Sequence, residues 1–263
     1  MASLEIEARL DNLLTTTQTE MADVNLFAPI TDRDECPICL LPFPIRMDSL
    51  SFFACCGKYV CVGCTYKNMM VEADKAENGG VQREHKCPFC RLPINDKQLK
   101  KLIKKNHPLA FMQMGYHYQT GTGVIQSDSK SLDMFIRAAE LGVAQAFVMI
   151  GNAYAAGEAV AQDVSKALEY YEIAAKRGRI LSHYYLALYR EKSGDIQISI
   201  NHLKVIACAG HQLAMDKLMN HYRNNSISKE DLAQTLRAYQ ASSDLMKSKE
   251  RDEAQLVLAS RHT

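Results

Sequence analysis

Eight of the nine cysteines of this chain lie within one window of 55 residues, and six of them form CxxC pairs. The pairs are Cys36/Cys39, Cys61/Cys64 and Cys87/Cys90, with the adjacent Cys55 and Cys56 between the first two pairs. A CxxC turn brings two thiolates close enough to share one zinc ion, and structural zinc takes four nitrogen or sulfur ligands. The eight candidate ligands therefore predict a site for two Zn²⁺ ions.

Composition favours metal ligation over disulfide formation. The chain has 263 residues, 47% of them hydrophobic, and a formal net charge of +1. This gives room for two modest domains and no overall attraction to nucleic acid or anionic membrane. We expect no signal peptide and no membrane span, and hence an intracellular location, cytoplasmic or nuclear. In that reducing environment clustered cysteines are metal ligands more often than disulfides.

The chain divides into four parts by composition, and we expect a mainly α protein with a small zinc-bound domain. Residues 1–30 predict a flexible arm with at most a short docked helix, and 31–96 form the cysteine segment. Residues 97–240 predict a helical solenoid of about four repeats, followed by a polar helical tail at 241–263. Lysines on one face of 97–105 indicate either a solvated linker helix or a basic contact surface for a partner.

An internal repeat begins near His107, because a shift of 36 residues superposes many identical positions. The matches include Gly115 and Gly151, Tyr118 and Tyr154, Gly121 and Gly157, Ala138-Ala139 and Ala174-Ala175, and Gly142 and Gly178. We predict one helical hairpin per repeat, with Met114 and Ile150 in the core and glycines in the turns. Asp163 and Ser228 are predicted to cap helices. Two weaker units follow, beginning near Ser182 and Ala214.

These repeats resemble Sel1-like repeats, a branch of the tetratricopeptide-like helical solenoids. The resemblance is specific for the first two units and weak for the last two. It implies a curved scaffold for protein–protein interaction without chemistry of its own. The repeats would then recruit a protein substrate or another partner.

The cysteine segment is too short to build an independent hydrophobic core, so we expect it to need metal to fold. Its order of cysteine pairs resembles the RING finger, the cross-braced two-zinc domain of ubiquitin ligases. The resemblance implies that Cys36, Cys39, Cys61 and Cys64 hold one ion, and that Cys87 and Cys90 belong to the second.

One position departs from the RING pattern, because Lys58 stands where the family usually has a histidine. A protonated lysine cannot bind zinc. The second site is completed either by both Cys55 and Cys56 or by His85, and we favour the two cysteines.

The RING resemblance also implies residues that contact a ubiquitin-conjugating enzyme and its ubiquitin. Ile38, Pro88 and Phe89 match the apolar contacts of the family, although packing on the zinc loops is an equally good explanation for Ile38 and Phe89. Arg91 follows the last cysteine, where many active RINGs carry an arginine that bridges the two partners. Its guanidinium can donate to two partners at once, which would orient the ubiquitin thioester for attack.

The sequence therefore predicts a RING-type ubiquitin transferase whose repeats recruit a substrate. The alternative is a non-catalytic adaptor in which zinc only stabilises an interaction module. Two features weaken the enzyme interpretation: the chain has no tryptophan, which many RINGs place in the partner groove, and residues 72–80 lengthen the loop that follows this stretch. Nucleic-acid binding has little support, because no aromatic residues accompany the basic segment.

Overall fold

The computed structural model describes residues 2–28, 35–42, 50–53, 57–68, 87–89, 96–249, 252–254 and 256. It divides into two compact units. The helical unit comprises Met1–Thr31 and Phe111–Gln240, and the cysteine unit comprises Asp32–Ala110 and Ala241–Thr263. In this division residues 97–110, the start of the predicted repeat segment 97–240, belong to the cysteine unit.

The described elements follow one another as a helix, a hairpin and a long helical array. They are α1 (Ala2–Glu20), β1 (Leu50–Phe53), β2 (Lys58–Cys61), α2 (Asp96–Lys104), α3 (Pro108–Thr120), α4 (Asp128–Glu140), α5 (Ala144–Ala156), α6 (Val164–Lys176), α7 (Ile180–Lys192), α8 (Ile196–Cys208), α9 (Gln212–Arg223) and α10 (Lys229–Met246). A further helical segment covers 62–68. Helices α3 to α10 form the four hairpins that the repeat predicted.

The turns and caps of these hairpins confirm the sequence analysis. Gly121 and Gly157 have φ of 74° and 77°, a left-handed conformation that glycine adopts without steric cost. The Asp163 carboxylate accepts from the backbone N–H of Lys166 at 3.0 Å. The Ser228 hydroxyl oxygen accepts from the N–H of Asp231 at 3.1 Å. The local signals for helix starts and turns were therefore sufficient to define the hairpins.

The two helices of a hairpin approach closely where the first carries a glycine. A Cβ atom at Gly151 would lie 2.6 Å from the Tyr171 ring, and one at Gly115 would lie 2.4 Å from the Phe135 ring. Such distances are far inside van der Waals contact, so a methyl group there would force the aromatic ring or its helix to move. The repeated glycine thus provides the space for an aromatic ring of the second helix.

The N-terminal segment differs from the expectation of a flexible arm with a short helix. Its helix α1 has 19 residues and packs against α4 and α6, the second helices of the first two repeats. Leu10, Leu14 and Thr17 form its buried stripe. The buried Tyr170 hydroxyl donates to the Leu10 carbonyl at 2.7 Å. The sequence pattern of α1 could not show this docking, because its partners lie more than a hundred residues away.

Two histidines are buried against each other in the third repeat. His183 and His202 are almost fully buried, and their Nδ1 atoms lie 3.0 Å apart, so one ring donates and the other accepts. The ring of Phe27 lies 4.8 Å from that of His202. Burial lowers the pKa of His183 to about 4. Burial, with the nearby His183 and Arg190, lowers the pKa of His202 to about 3. Both imidazoles are therefore neutral at pH 7.

Acidification should destabilise the helical unit through this pair. In the unfolded chain these histidines take up protons near pH 6.5, whereas the buried pair stays neutral. The free energy of unfolding is therefore unaffected by the pair above that pH and decreases as the pH drops towards 4. Thermal unfolding followed by circular dichroism measures the effect. Between pH 7.5 and pH 5 the Tm of His202→Gln should fall by about 4 °C less than the Tm of the wild-type chain.

The matched control is His117→Gln, which changes a less buried histidine of α3. It should keep the wild-type pH dependence, because it leaves the buried pair of His183 and His202 in place. Equal pH dependence of His202→Gln and wild type would contradict the prediction.

Candidate metal centre

Four cysteine sulfurs meet in the cysteine unit, and they come from two CxxC pairs that are distant in sequence. The Sγ atoms of Cys36, Cys39, Cys61 and Cys64 all lie within 4.8 Å of one another. This is the set of four that the RING resemblance implied for the first ion. Cys55 and Cys56, which stand between these pairs in the sequence, lie outside the described residues.

The spacing of the sulfurs fits tetrahedral coordination. Cys39 Sγ and Cys61 Sγ are 3.8 Å apart. Two sulfurs that each lie about 2.3 Å from one tetrahedral ion are separated by about 3.8 Å. A disulfide would require a separation of about 2.05 Å. The four thiols therefore fit one zinc ion.

Local backbone structure holds each pair in place. The first pair lies in a tight loop in which the Leu40 N–H donates to the Cys36 carbonyl and the Cys36 N–H donates to the Leu41 carbonyl. The second pair begins at the end of β2, where Cys61 is paired with Leu50 of β1. Cys64 follows in the helical segment 62–68. The antiparallel hairpin thus positions Cys61 and Cys64 next to Cys36 and Cys39.

The electrostatics of the four sulfurs also suit a cation. Burial raises the pKa of the Cys36 thiol, but backbone hydrogen bonds, led by Cys39 and Cys61, outweigh it and lower this pKa to about 7. Burial and the neighbouring Cys61 sulfur raise the pKa of Cys64. Adjacent thiolates repel one another, and a bound divalent cation stabilises all of them in the deprotonated form.

Cys87 lies in the same small core but is not one of the four clustered sulfurs. It packs with Cys36, Phe53, Val60 and Cys61. Its Sγ accepts a hydrogen bond from the Phe89 N–H at 3.4 Å. The role of Cys87 as a ligand of the second ion stays a prediction, and its predicted partner Cys90 lies outside the described residues.

The predicted partner contacts differ in their exposure. Ile38 is 43% exposed between two cysteines of the quartet. Pro88 and Phe89 are half-buried. The Lys58 ammonium lies 4.9 Å from the centre of the Phe89 ring, a cation–π contact. Lys58, which stands where the RING family usually has a histidine ligand, thus contacts the ring of Phe89.

Arg91 and the alternative ligand His85 both lie outside the described residues. Their roles remain predictions from the sequence.

Sequence reasoning missed the contacts of Lys58 and Phe89 and the buried histidine pair. No local signal identifies either, since His183 and His202 lie on different helices and become neighbours only when the third hairpin closes. The basic helix α2 was anticipated: Leu99 is buried, and Lys100, Lys101 and Lys104 are exposed.

Comparison with known proteins bears on the helical unit. The Sel1 repeat model matches residues 103–143 and 146–178. The chain carries Sel1-type repeats over these residues. No curated protein matches the chain significantly. In the part of the chain that the structure describes, no helix combines the length with the hydrophobicity that a membrane crossing requires.

Two solved structures are similar to this chain. A Sel1 repeat protein from Oxalobacter formigenes is 24% identical, with a TM-score of 0.50, covering 68% of this chain and 72% of that one. A protective antigen of uropathogenic Escherichia coli strains, which displays an SLR fold, is also 24% identical, with a TM-score of 0.49. That match covers 72% of this chain and 40% of the antigen. The first likeness shows the fold of the helical unit.

Metal removal should unfold the cysteine unit alone. Its described core contains few buried side chains, so we expect binding of zinc to supply most of its folding free energy. Chelation should abolish amide hydrogen-exchange protection in β1 and β2 while α4 to α9 keep theirs. Cys61→Ser should lower the zinc content by about one ion per chain, measured by native mass spectrometry.

Cys208→Ser is the matched control, because it removes a partly buried thiol of α8 in the helical unit. It should leave the zinc content unchanged. Purified chain without zinc, or equal zinc content in the Cys61→Ser and wild-type chains, would rule out the metal centre.

Proposed function

We propose that this chain is a zinc-stabilised RING-type ubiquitin-protein ligase whose Sel1-type repeats recruit the protein to be modified. The observation that carries the proposal is the sulfur quartet, in which the pair at Cys36 meets the pair at Cys61 across the hairpin. The RING resemblance implies that these two pairs share the first ion, and they are the pairs whose sulfurs lie together among the described residues.

The zinc ions would have a structural role. The quartet would hold one ion, and Cys87 would hold the second with Cys90 and with Cys55 and Cys56 or His85. The bound ions would fix the loops that present Ile38 and Phe89. The ligase itself would supply no nucleophile, since the acceptor amine attacks the ubiquitin thioester carried by the conjugating enzyme.

The exposed position of Ile38 supports a partner-binding surface. An isoleucine with 43% exposure inside a metal-binding loop gains little from intramolecular packing. Its loop is held by backbone hydrogen bonds at Cys36, so the side chain would be presented in a fixed position. Fixed apolar residues lose little conformational entropy on binding, which favours their use as contacts.

Arg91 is assigned the orienting role. A guanidinium that donates to the conjugating enzyme and to ubiquitin would restrict the flexible thioester to orientations suitable for attack. Orientation of this kind lowers the entropic part of the barrier without any covalent step by the ligase.

The repeats supply the second half of the proposal. They form a protein-interaction fold, and exposed apolar residues lie on their last hairpin. Leu213 and Tyr222 of α9 are 54% and 37% exposed, and Leu236 of α10 is 37% exposed. Such residues are candidates for contact with a recruited protein.

The test is ubiquitin chain formation by the purified full chain. The reaction contains activating enzyme, ubiquitin, ATP and a panel of conjugating enzymes. We expect chains with at least one of them, and Ile38→Ala or Arg91→Ala should lower the rate about tenfold or more while the zinc content stays unchanged.

Ile198→Ala is the matched control, because Ile198 is 40% exposed and lies on α8 of the repeats. It should keep the wild-type rate. If zinc-loaded chain forms no ubiquitin chains with any conjugating enzyme, the ligase proposal is wrong. The non-catalytic adaptor, in which the cysteine unit binds a protein without promoting transfer, would then be the better interpretation.

A further inference from the structure

The surface of the repeats beneath α1 has the chemistry of a helix-binding site. It is formed by α4 and α6, with Tyr154 of α5 beside them. Tyr170 donates to the Leu10 carbonyl, and the Lys166 ammonium lies 2.7 Å from the Asp11 carboxylate. The Tyr154 and Tyr170 rings stack with an interplanar angle of 14°. An aromatic floor with charged groups around it is therefore matched to an amphipathic helix.

Charges on both sides define which helix fits. Arg9 of α1 pairs with Asp133 and Glu140 of α4. Downstream, Asp11 pairs with Lys166, and Glu20 pairs with Arg177 at 3.1 Å. The surface is thus acidic where the helix starts and basic where it continues. It selects a helix with a basic residue before its first apolar residue and acidic residues after it.

The contacts that hold α1 are weak individually. Its ion pairs lie at the surface, where each contributes little to stability. Among the side chains of residues 5–20, those of Leu10, Leu14 and Thr17 are buried. The hydroxyls of Thr15, Thr17 and Thr19 donate to carbonyls four residues earlier in the helix, a bond that slightly destabilises helices. The helix therefore depends on its docking surface and is well suited to exchange.

The surface also has a donor that α1 does not use. Tyr154 is 4% exposed, and its hydroxyl has no hydrogen-bond partner within the described ranges. The neighbouring Tyr170 hydroxyl, by contrast, is satisfied by α1. Leaving a buried hydroxyl without an acceptor costs free energy. A different helix that carries an acceptor at this point would satisfy both tyrosines.

We propose that this surface is a docking site for an acidic amphipathic helix of a partner protein, and that residues 2–28 occupy it in the free chain. The partner helix presents two apolar residues four positions apart, a basic residue before the first and an acid after it. Because the chain's own segment is tethered, its high effective concentration keeps the site closed to weak competitors.

The test uses a fluorescent peptide of residues 2–28 and the full chain. In the variant Leu10→Asp, the buried leucine is lost and the tethered segment should leave its site. Fluorescence anisotropy should show that the peptide binds this variant at least tenfold more tightly than wild-type chain. Thr16→Asp, on the exposed face of α1, is the matched control and should behave as wild type.

Three further variants, made in the Leu10→Asp chain, test the register. Lys166→Glu should weaken binding of the peptide, and a peptide with Asp11→Lys should recover it. Tyr170→Phe should weaken binding about fivefold, because a hydrogen bond to Leu10 is lost, whereas Tyr154→Phe should not.

Three results would overturn the proposal. The peptide binds folded wild-type and Leu10→Asp chains equally. The Leu10→Asp chain loses the unfolding transition of its repeats, which would make α1 an integral part of their core. Light scattering shows that the chain forms a dimer which Leu10→Asp abolishes, which would make a second copy the occupant.

Discussion

The meeting of two distant cysteine pairs constrains the cysteine unit more than any other interaction described in it. Cys36 and Cys61 are fully buried, and the few other buried side chains of that core, such as Phe53 and Val60, surround them. A core of this size stabilises a fold only weakly by hydrophobic burial. We therefore expect the hairpin register, the loop at Leu40 and the exposure of Ile38 to depend on the four sulfurs staying together.

The helical unit is stabilised differently, by many similar local contacts. Each hairpin closes over a short turn, and its glycine admits an aromatic ring from the second helix. Neighbouring hairpins then bury alanines such as Ala138 and Ala174 between them. Because each repeat contacts mainly the next one, loss of the cysteine unit would leave this array largely intact.

Local features were predictable from the sequence, and long-range contacts were not. The turn glycines, the cap at Asp163 and the 36-residue period define the hairpins, because their causes lie within a few residues. The quartet at Cys36 and Cys61 followed from a family resemblance, since pair spacing alone leaves the partners open. Docking of Leu10 on Tyr170 could not be predicted, because a short apolar stripe does not reveal what will cover it.

The contact between Leu10 and Tyr170 joins positions 160 residues apart in the chain. A ribosome that adds about 5–20 residues per second would need roughly 8–32 seconds to make that length of chain. During this interval Leu10 and Leu14 have no docking surface within their own chain. They are then accessible to a chaperone or a neighbouring chain with an apolar groove, because this helix is made well before the surface that buries it.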